Sequence, residues 1–259
     1  MASASPSHTQ DQEPPVIVDL VQEGADADHT SPTWALAEPL LFNKVQLGWI
    51  TRVTLGERGS DAWFRRHAAA RDSSTSIKLV VRGNRDKKIR ITNIRTVKKC
   101  GRPLNGTLFY NPPGGASDEL IRLYFDLDKS RPEAQMLKGF DPKGGYFSLR
   151  TVSLKRDEDM AFLIYASTLK HYCSFSLALD VLADGRQQTV TVTNHGQPFR
   201  ITALYTKKGK GGDVDADVEK YKFLYVAGNG DFSGKHVDEW RRWDPREYVR
   251  AEVKWWQRD

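Results

Sequence analysis

Long apolar runs are what this chain most clearly lacks. No stretch approaches the ~20 consecutive apolar residues of a membrane-crossing helix, so nothing reads as a span. The opening MASASPSHTQDQEPP has no basic region followed by an apolar core, which excludes a secretory signal. Cysteine is scarce: Cys100 and Cys173 are too few for a disulfide scaffold and lack the spacing of a zinc site. The histidines form no HxH, HxxxH or HExxH pattern, so no metal site is expected. A GxSxG elbow, a P-loop and a GxGxxG at a strand–helix junction are all missing, and no cofactor is expected.

What is present is strand language. At 259 residues the chain is long enough for one sizeable β domain. Apolar runs cut by Gly, Pro and Asn recur at 77–82, 88–98, 106–110, 119–126, 146–154, 160–168, 171–183, 187–194, 198–204 and 222–227. The run 171–183 is the clearest, with Cys173, Phe175, Leu177, Leu179 and Val181 on one face and Ser174, Ser176 and Asp180 on the other. Asp184-Gly185 then supplies a tight turn, and Asn194-His195-Gly196 another. Residues 34–55 read as one or two strands broken at Pro39 and Gly48. A short helix is expected from Ser60 as N-cap through Asp61 to about Arg71, with Trp63, His67 and Ala70 at helical spacing. A second short helix is expected around 236–243, before Pro245.

The expected fold is therefore all-β: a single Greek-key-like β-sandwich with one short N-terminal helix. Residues 1–33 form a flexible leader whose island VIVDLV (16–21) docks as a short strand. Residues 34–230 form the sandwich, and 231–259 a charged, Trp-rich C-terminal segment.

Residues 79–84 (LVVRGN), 88–110 (KIRITNIRTVKKCGRPLNGTLFY), 125–128 (FDLD), 171–175 (HYCSF) and 195–203 (HGQPFRITA) carry a resemblance. Over roughly 60–205 the chain resembles a family of actinobacterial β-rich proteins of unassigned activity, often placed behind a single transmembrane helix. The resemblance implies fold and topology, and it implies that Cys100 and Cys173 suit an extracytoplasmic disulfide. Read from the residues alone, the pair is either that bond or two buried thiols acting as small hydrophobes. Location stays open in the same way: cytoplasmic as the chain is written, or the extracytoplasmic face if an anchor is missing from it.

Function is read from charge and aromatics. The net charge of +6 favours acidic partners only mildly. Between Lys78 and Arg102 the bases Arg82, Arg85, Lys88, Arg90, Arg95, Lys98 and Lys99 crowd together with Asp86 as the one acid, and alternation sends many of them to one face. Such a stripe suits an anionic polymer, or it is simply a solvated outer face. Trp240 and Trp243, with Trp255 and Trp256 behind them, are candidate ligand contacts or anchors of a terminal segment. The expectation is a non-catalytic binding or accessory module engaging a protein partner or an anionic surface polymer. One alternative is a hydrolase using Asp126, Asp128 or Asp180 with His171; another is a nucleic-acid binder acting through Arg90, Arg95 and Lys99. Asp213-Val-Asp215-Ala-Asp217 is not an EF-hand, because its sixth and twelfth positions are Val218 and Leu224.

Overall fold

Alternation in the sequence becomes strand pairing in space. The computed structural model describes residues 13–25, 33–55, 61–111, 121–138, 141–208, 214–228 and 238–256. In chain order the strands begin with β1 (Val16–Glu23), β2 (Trp34–Leu36), β3 (Ala70–Asp72), β4 (Ser74–Gly83), β5 (Ile89–Gly101) and β6 (Thr107–Tyr110). They continue with β7 (Ile121–Asp126), β8 (Gln135–Lys138), β9 (Asp141–Gly145), β10 (Val152–Leu154), β11 (Asp159–Ser167) and β12 (Tyr172–Ala183). The last are β13 (Arg186–Val192), β14 (Phe199–Thr202), β15 (Thr206–Lys208), β16 (Val214–Ala216), β17 (Phe223–Val226) and β18 (Arg241–Trp243). Among the described residues there are also three α-helices, α1 (Lys44–Thr54), α2 (Ala62–Arg66) and α3 (Pro245–Trp256), and a 3-10 turn at Val218–Lys220.

Strands account for 52% and helices for 14%, so the all-β sandwich class holds. One sheet runs β1-β4-β11-β7-β8-β9. The larger sheet runs β10-β5-β12-β14-β3-β2-β6-β17-β18, with β13 also paired to β12. Both are mixed: β7 runs parallel to β11, β3 to β14 and β6 to β17. The island at 16–21 lies in β1, which pairs with β4.

The sandwich core lies between the first sheet and one half of the second. Ile77, Leu79 and Val81 of β4, with Phe162 and Ile164 of β11, meet Ile89, Ile91 and Ile94 of β5 and Phe175, Leu177 and Leu179 of β12. A register shift at Asp180/Val181 leaves Thr92 of β5 as an extra residue, which is why both Ile91 and Ile94 face inward. Cys100 and Cys173, directly opposed on β5 and β12, are joined in a disulfide.

The other half of the large sheet is covered on both faces. On one, α1 and α2 enclose an aromatic cluster of Trp34, Trp63, Phe64, Phe109, Tyr225 and Trp240. On the other, Leu108, Leu224 and Val226 pack with Tyr221 and with Tyr248 of α3. The large sheet is thus a shared wall between three apolar clusters.

Several expectations need correction. Residues 44–54 are helix rather than strand. Asn43 accepts a hydrogen bond from Gln46 N at 2.9 Å while its own N–H donates to Gln46 Oε1 at 3.0 Å, a capping box that starts α1. The helix expected to reach Arg71 stops at Arg66, because Ala68 turns at φ 52° and the chain enters β3; Ser60 lies outside the described residues. Residues 241–243 are strand, and the helix begins at Pro245 with Asp244 Oδ1 accepting from Arg246 N and Glu247 N. Of 146–154 only 152–154 is strand, and β15 pairs antiparallel with β16 where no strand was expected.

Asp72, at the end of β3, makes stability depend on pH. Burial holds its carboxyl up at about 6, against a hydrogen bond from Ser73 Oγ. The folded state therefore prefers the protonated acid. The stability this contributes is complete below about pH 4, and is lost as pH rises through about 6. Asp72→Asn keeps the acceptor for Ser73 without the charge. It is expected to add about 1–3 kcal/mol at pH 7.5, and nothing at pH 4, in urea titrations of variant and wild type.

Candidate functional site

The basic run between Lys78 and Arg102 does not form one stripe. β4 belongs to the smaller sheet and β5 to the larger, so Lys78 and Arg82 face outward on one side of the sandwich and Arg90, Arg95 and Lys99 on the other. Many of these cations already have partners. Arg82 grips Asp19 through Nε (3.0 Å) and Nη2 (3.1 Å), and Asp157 through Nη1 (2.9 Å). Arg85 is 7% exposed and ties Asp184 to the backbone carbonyls of Glu13, Pro14 and Asn84. Arg95 pairs with Asp180, which also accepts from Thr189 Oγ1 at 2.9 Å. Lys98 falls on the inward side of β5, and its ammonium donates to the carbonyls of Leu127 and Lys129, both at 2.6 Å. Lys88, Arg90 and Lys99 are exposed and make no ion pair among the described residues.

The tryptophans divide similarly. Trp240 is 4% exposed, belongs to the aromatic cluster and donates from Nε1 to Thr54 Oγ1 at 2.8 Å; it anchors rather than presents. Trp243 is half-buried against Tyr248, with Arg241 over its ring. The side chains of Trp255 and Trp256 lie outside the described residues, as does Asp213 of the acidic triplet.

Of the carboxylates and histidine of the hydrolase reading, Asp128 and His171 do meet, Oδ1 to Nδ1 at 2.9 Å. Asp128 also accepts from Thr168 Oγ1 at 2.6 Å and Leu169 N at 2.8 Å, and these bonds overcome burial to hold its carboxyl below the usual range. Asp126 Oδ1 accepts from Asp128 N at 3.0 Å. The bonds of Asp128 to Thr168, Leu169 and His171 lock two loops together, and the Asp126 bond shapes the first of them. Asp180 stands nine residues along β12 from His171, roughly 30 Å away at strand rise, so the three acids do not gather.

A different group of side chains does converge. A cleft of about 440 Å³ is lined by Arg65 and Arg66 of α2, by Asn194, His195 and Gln197 of the β13–β14 turn, and by Arg200 of β14, with two alanines as small walls. Among the described residues no Asp or Glu lines it. Local sequence explains each contribution. In Trp63-Phe64-Arg65-Arg66 the two aromatics are drawn into the cluster, Phe64 stacking on Trp34 at 4.8 Å, which turns the arginines outward. His195 (φ 52°) and Gly196 (φ 82°) are the central pair of a two-residue hairpin closed by Asn194 N to Gln197 O at 2.7 Å, so His195 is presented at its tip. Phe199 and Ile201 point into the sandwich core, and alternation sends Arg200 to the outer face.

Behind this wall, Asn194 Nδ2 donates to Glu23. Burial pushes the Glu23 carboxyl up, with Arg71, Thr75 and Arg65 opposing that rise and Asp61 adding to it. Arg71 is itself paired with Asp61, and its guanidinium lies over Trp34. Glu23 and Asp61 are thus both engaged, the first by Asn194 and Thr75 and the second by Arg71. The cleft also continues across the sheet. Ser174 pairs with Arg200 on one side and Lys99 on the other, forming an outward row in which Arg200 and Lys99 stand about 10 Å apart at two strand spacings.

Lys99 is thus the one residue of the expected stripe that adjoins this site. Arg65, Arg66, His195 and Arg200 were outside the expected set. Their approach depends on β3 pairing parallel to β14, with Arg71 opposite Ile201, which no local pattern announces.

No family model, curated protein or solved structure matches the chain, and the actinobacterial resemblance gains no support from these comparisons. Among the described residues there is no group of three or more His, Cys, Asp or Glu able to hold a metal ion, and no helix long and apolar enough to cross a membrane. Fold and site together define a β-sandwich with an arginine-lined cleft.

Proposed function

We propose that the protein is a non-catalytic binding module for an anionic polymer, gripped at the arginine-lined cleft and along the adjoining Lys99–Ser174–Arg200 row. The observation that carries this reading is the lining itself: three arginines and a histidine with no carboxylate among the described residues. Guanidinium forks suit phosphate and carboxylate oxygens, and a row continuing past the cleft suits a repeating charge better than a single ion. The Cys100–Cys173 bond favours an oxidising compartment, where cell-surface polymers are met. Nucleic acid is the weaker reading, because no series of aromatics accompanies the cations as a stacking platform.

The test is titration of labelled polyanions (a glycerol-phosphate chain, polyglutamate and a DNA oligonucleotide) at two salt concentrations. Engagement of about four cations predicts a fall in affinity of roughly 100-fold between ~50 and ~200 mM salt. Affinity that ignores salt, or an absence of binding at low salt, would remove the proposal. Tighter binding of the oligonucleotide than of the other chains would favour the nucleic-acid reading instead.

A further inference from the structure

Helix α1 carries apolar residues on two sides. Leu47, Ile50 and Val53 pack onto the aromatic cluster. On another side Leu41 is 56%, Val45 81% and Trp49 45% exposed. Val45 and Trp49, four residues apart, lie along one line of the helix, and Leu41 is exposed in the extended segment that leads into it. The outward stripe of a helix packed on a soluble core is ordinarily charged. Here it is apolar, and its flanking charges, Lys44 and Arg52, are both cations. No Asp or Glu occurs between residues 39 and 56.

Beside the ridge lies a groove of about 440 Å³ between α1 and α2, with Phe42, Ile50 and Trp63 among its walls and Trp49, Arg52 and His67 at its margin. His67 stacks on Trp63 at 4.1 Å and its Nδ1 meets Trp63 O at 2.8 Å, so the margin is held in place.

From this arrangement we infer that α1 is an interfacial helix that docks the protein onto an anionic lipid surface. Trp49 belongs at headgroup depth, where its apolar body and indole N–H are both accommodated. Val45 and Leu41 enter the acyl boundary, while Lys44 and Arg52 extend toward phosphates. Charge complementarity selects the occupant: the helix carries Lys44 and Arg52 and no acid of its own beside Val45 and Trp49, which matches negative headgroups. The surface uses none of the cleft arginines, so it stands apart from the polymer reading. One short helix presenting two apolar side chains, with Leu41 before it, gives weak, reversible attachment.

Co-sedimentation of the full chain with vesicles tests this. Vesicles of phosphatidylcholine containing about 30 mol % phosphatidylglycerol are expected to bind it at least about tenfold better than phosphatidylcholine alone. Val45→Ser with Trp49→Ser, and separately Lys44→Glu with Arg52→Glu, should each lower that binding about tenfold. Val45→Ser alone touches a side chain so exposed that folding is not at issue, and should give a partial loss. Failure to sediment with either vesicle, or equal binding by the ridge variants, would overturn the inference. So would a concentration-dependent dimer in light scattering that Val45→Ser with Trp49→Ser abolishes, because the ridge would then belong to a second copy.

Discussion

Reduction of the Cys100–Cys173 bond is expected to lower stability by about 4 kcal/mol. The bond spans a sequence separation of 73 residues, and closing a loop of that length removes about this much entropy from the unfolded chain. For a chain of this size that is a fall of roughly 8–16 °C in melting temperature. The bond joins strands in the two most extensively paired positions of the large sheet, so the folded arrangement remains possible without it. Cys173 is fully buried but Cys100 is exposed at the end of β5, which gives reductant a route. Melting curves with and without dithiothreitol, repeated on the Cys100→Ala, Cys173→Ala double variant, measure the effect. The variant should match the reduced wild type and be indifferent to reductant. A shift worth less than about 1 kcal/mol would mean that the unfolded chain is not constrained as the loop argument requires.

Phe109→Ala is expected to cost about 4 kcal/mol. The Phe109 ring is fully buried at the centre of the aromatic cluster, 5.0 Å from both Tyr225 and Trp240, 5.3 Å from Phe64 and 5.7 Å from Trp63. These neighbours come from β17, the segment before β18, and α2, so no single element can relax into the space. Removal of a buried phenyl ring that leaves such a cavity costs about 3–5 kcal/mol. The same cluster holds α2 in place, and with it Arg65 and Arg66. Urea unfolding measures the loss; a change below about 1 kcal/mol would mean that the helical layer is not fastened through Phe109.

The parts of the fold legible in the sequence are those where one local period decides. β12 alternates along its first half, and its inward set Cys173, Phe175, Leu177, Leu179 and Val181 is buried as expected, with Ala178, Asp180 and Ala183 buried besides. Helix α1 was obscured because Val45, Trp49, Ile50, Thr51 and Val53 have strand propensity, while its start depends on the reciprocal Asn43–Gln46 bonds. The start of α3 was written in Asp244-Pro245 as an N-cap followed by a proline in the first turn, but proline there resembles a stop as much as a start. Charge proved the poorest guide. Arg85, Arg95 and Lys98 look alike in a basic run, yet one is buried, one is paired across strands and one caps carbonyls of the loop that follows β7. The sheet to which each strand belongs separates these fates, and that is a property of long-range pairing.

The most direct test of the binding account is the affinity of the glycerol-phosphate chain for Arg66→Glu, Arg200→Glu at about 50 mM salt, with Lys78→Glu as comparison. Lys78 lies on the outer face of the opposite sheet, between the inward-facing Ile77 and Leu79. The account predicts that reversing the two cleft cations weakens binding by about 100-fold or more, while Lys78→Glu changes it by less than about threefold. Equal affinity in the cleft variant, or an equal loss from Lys78→Glu, would contradict it.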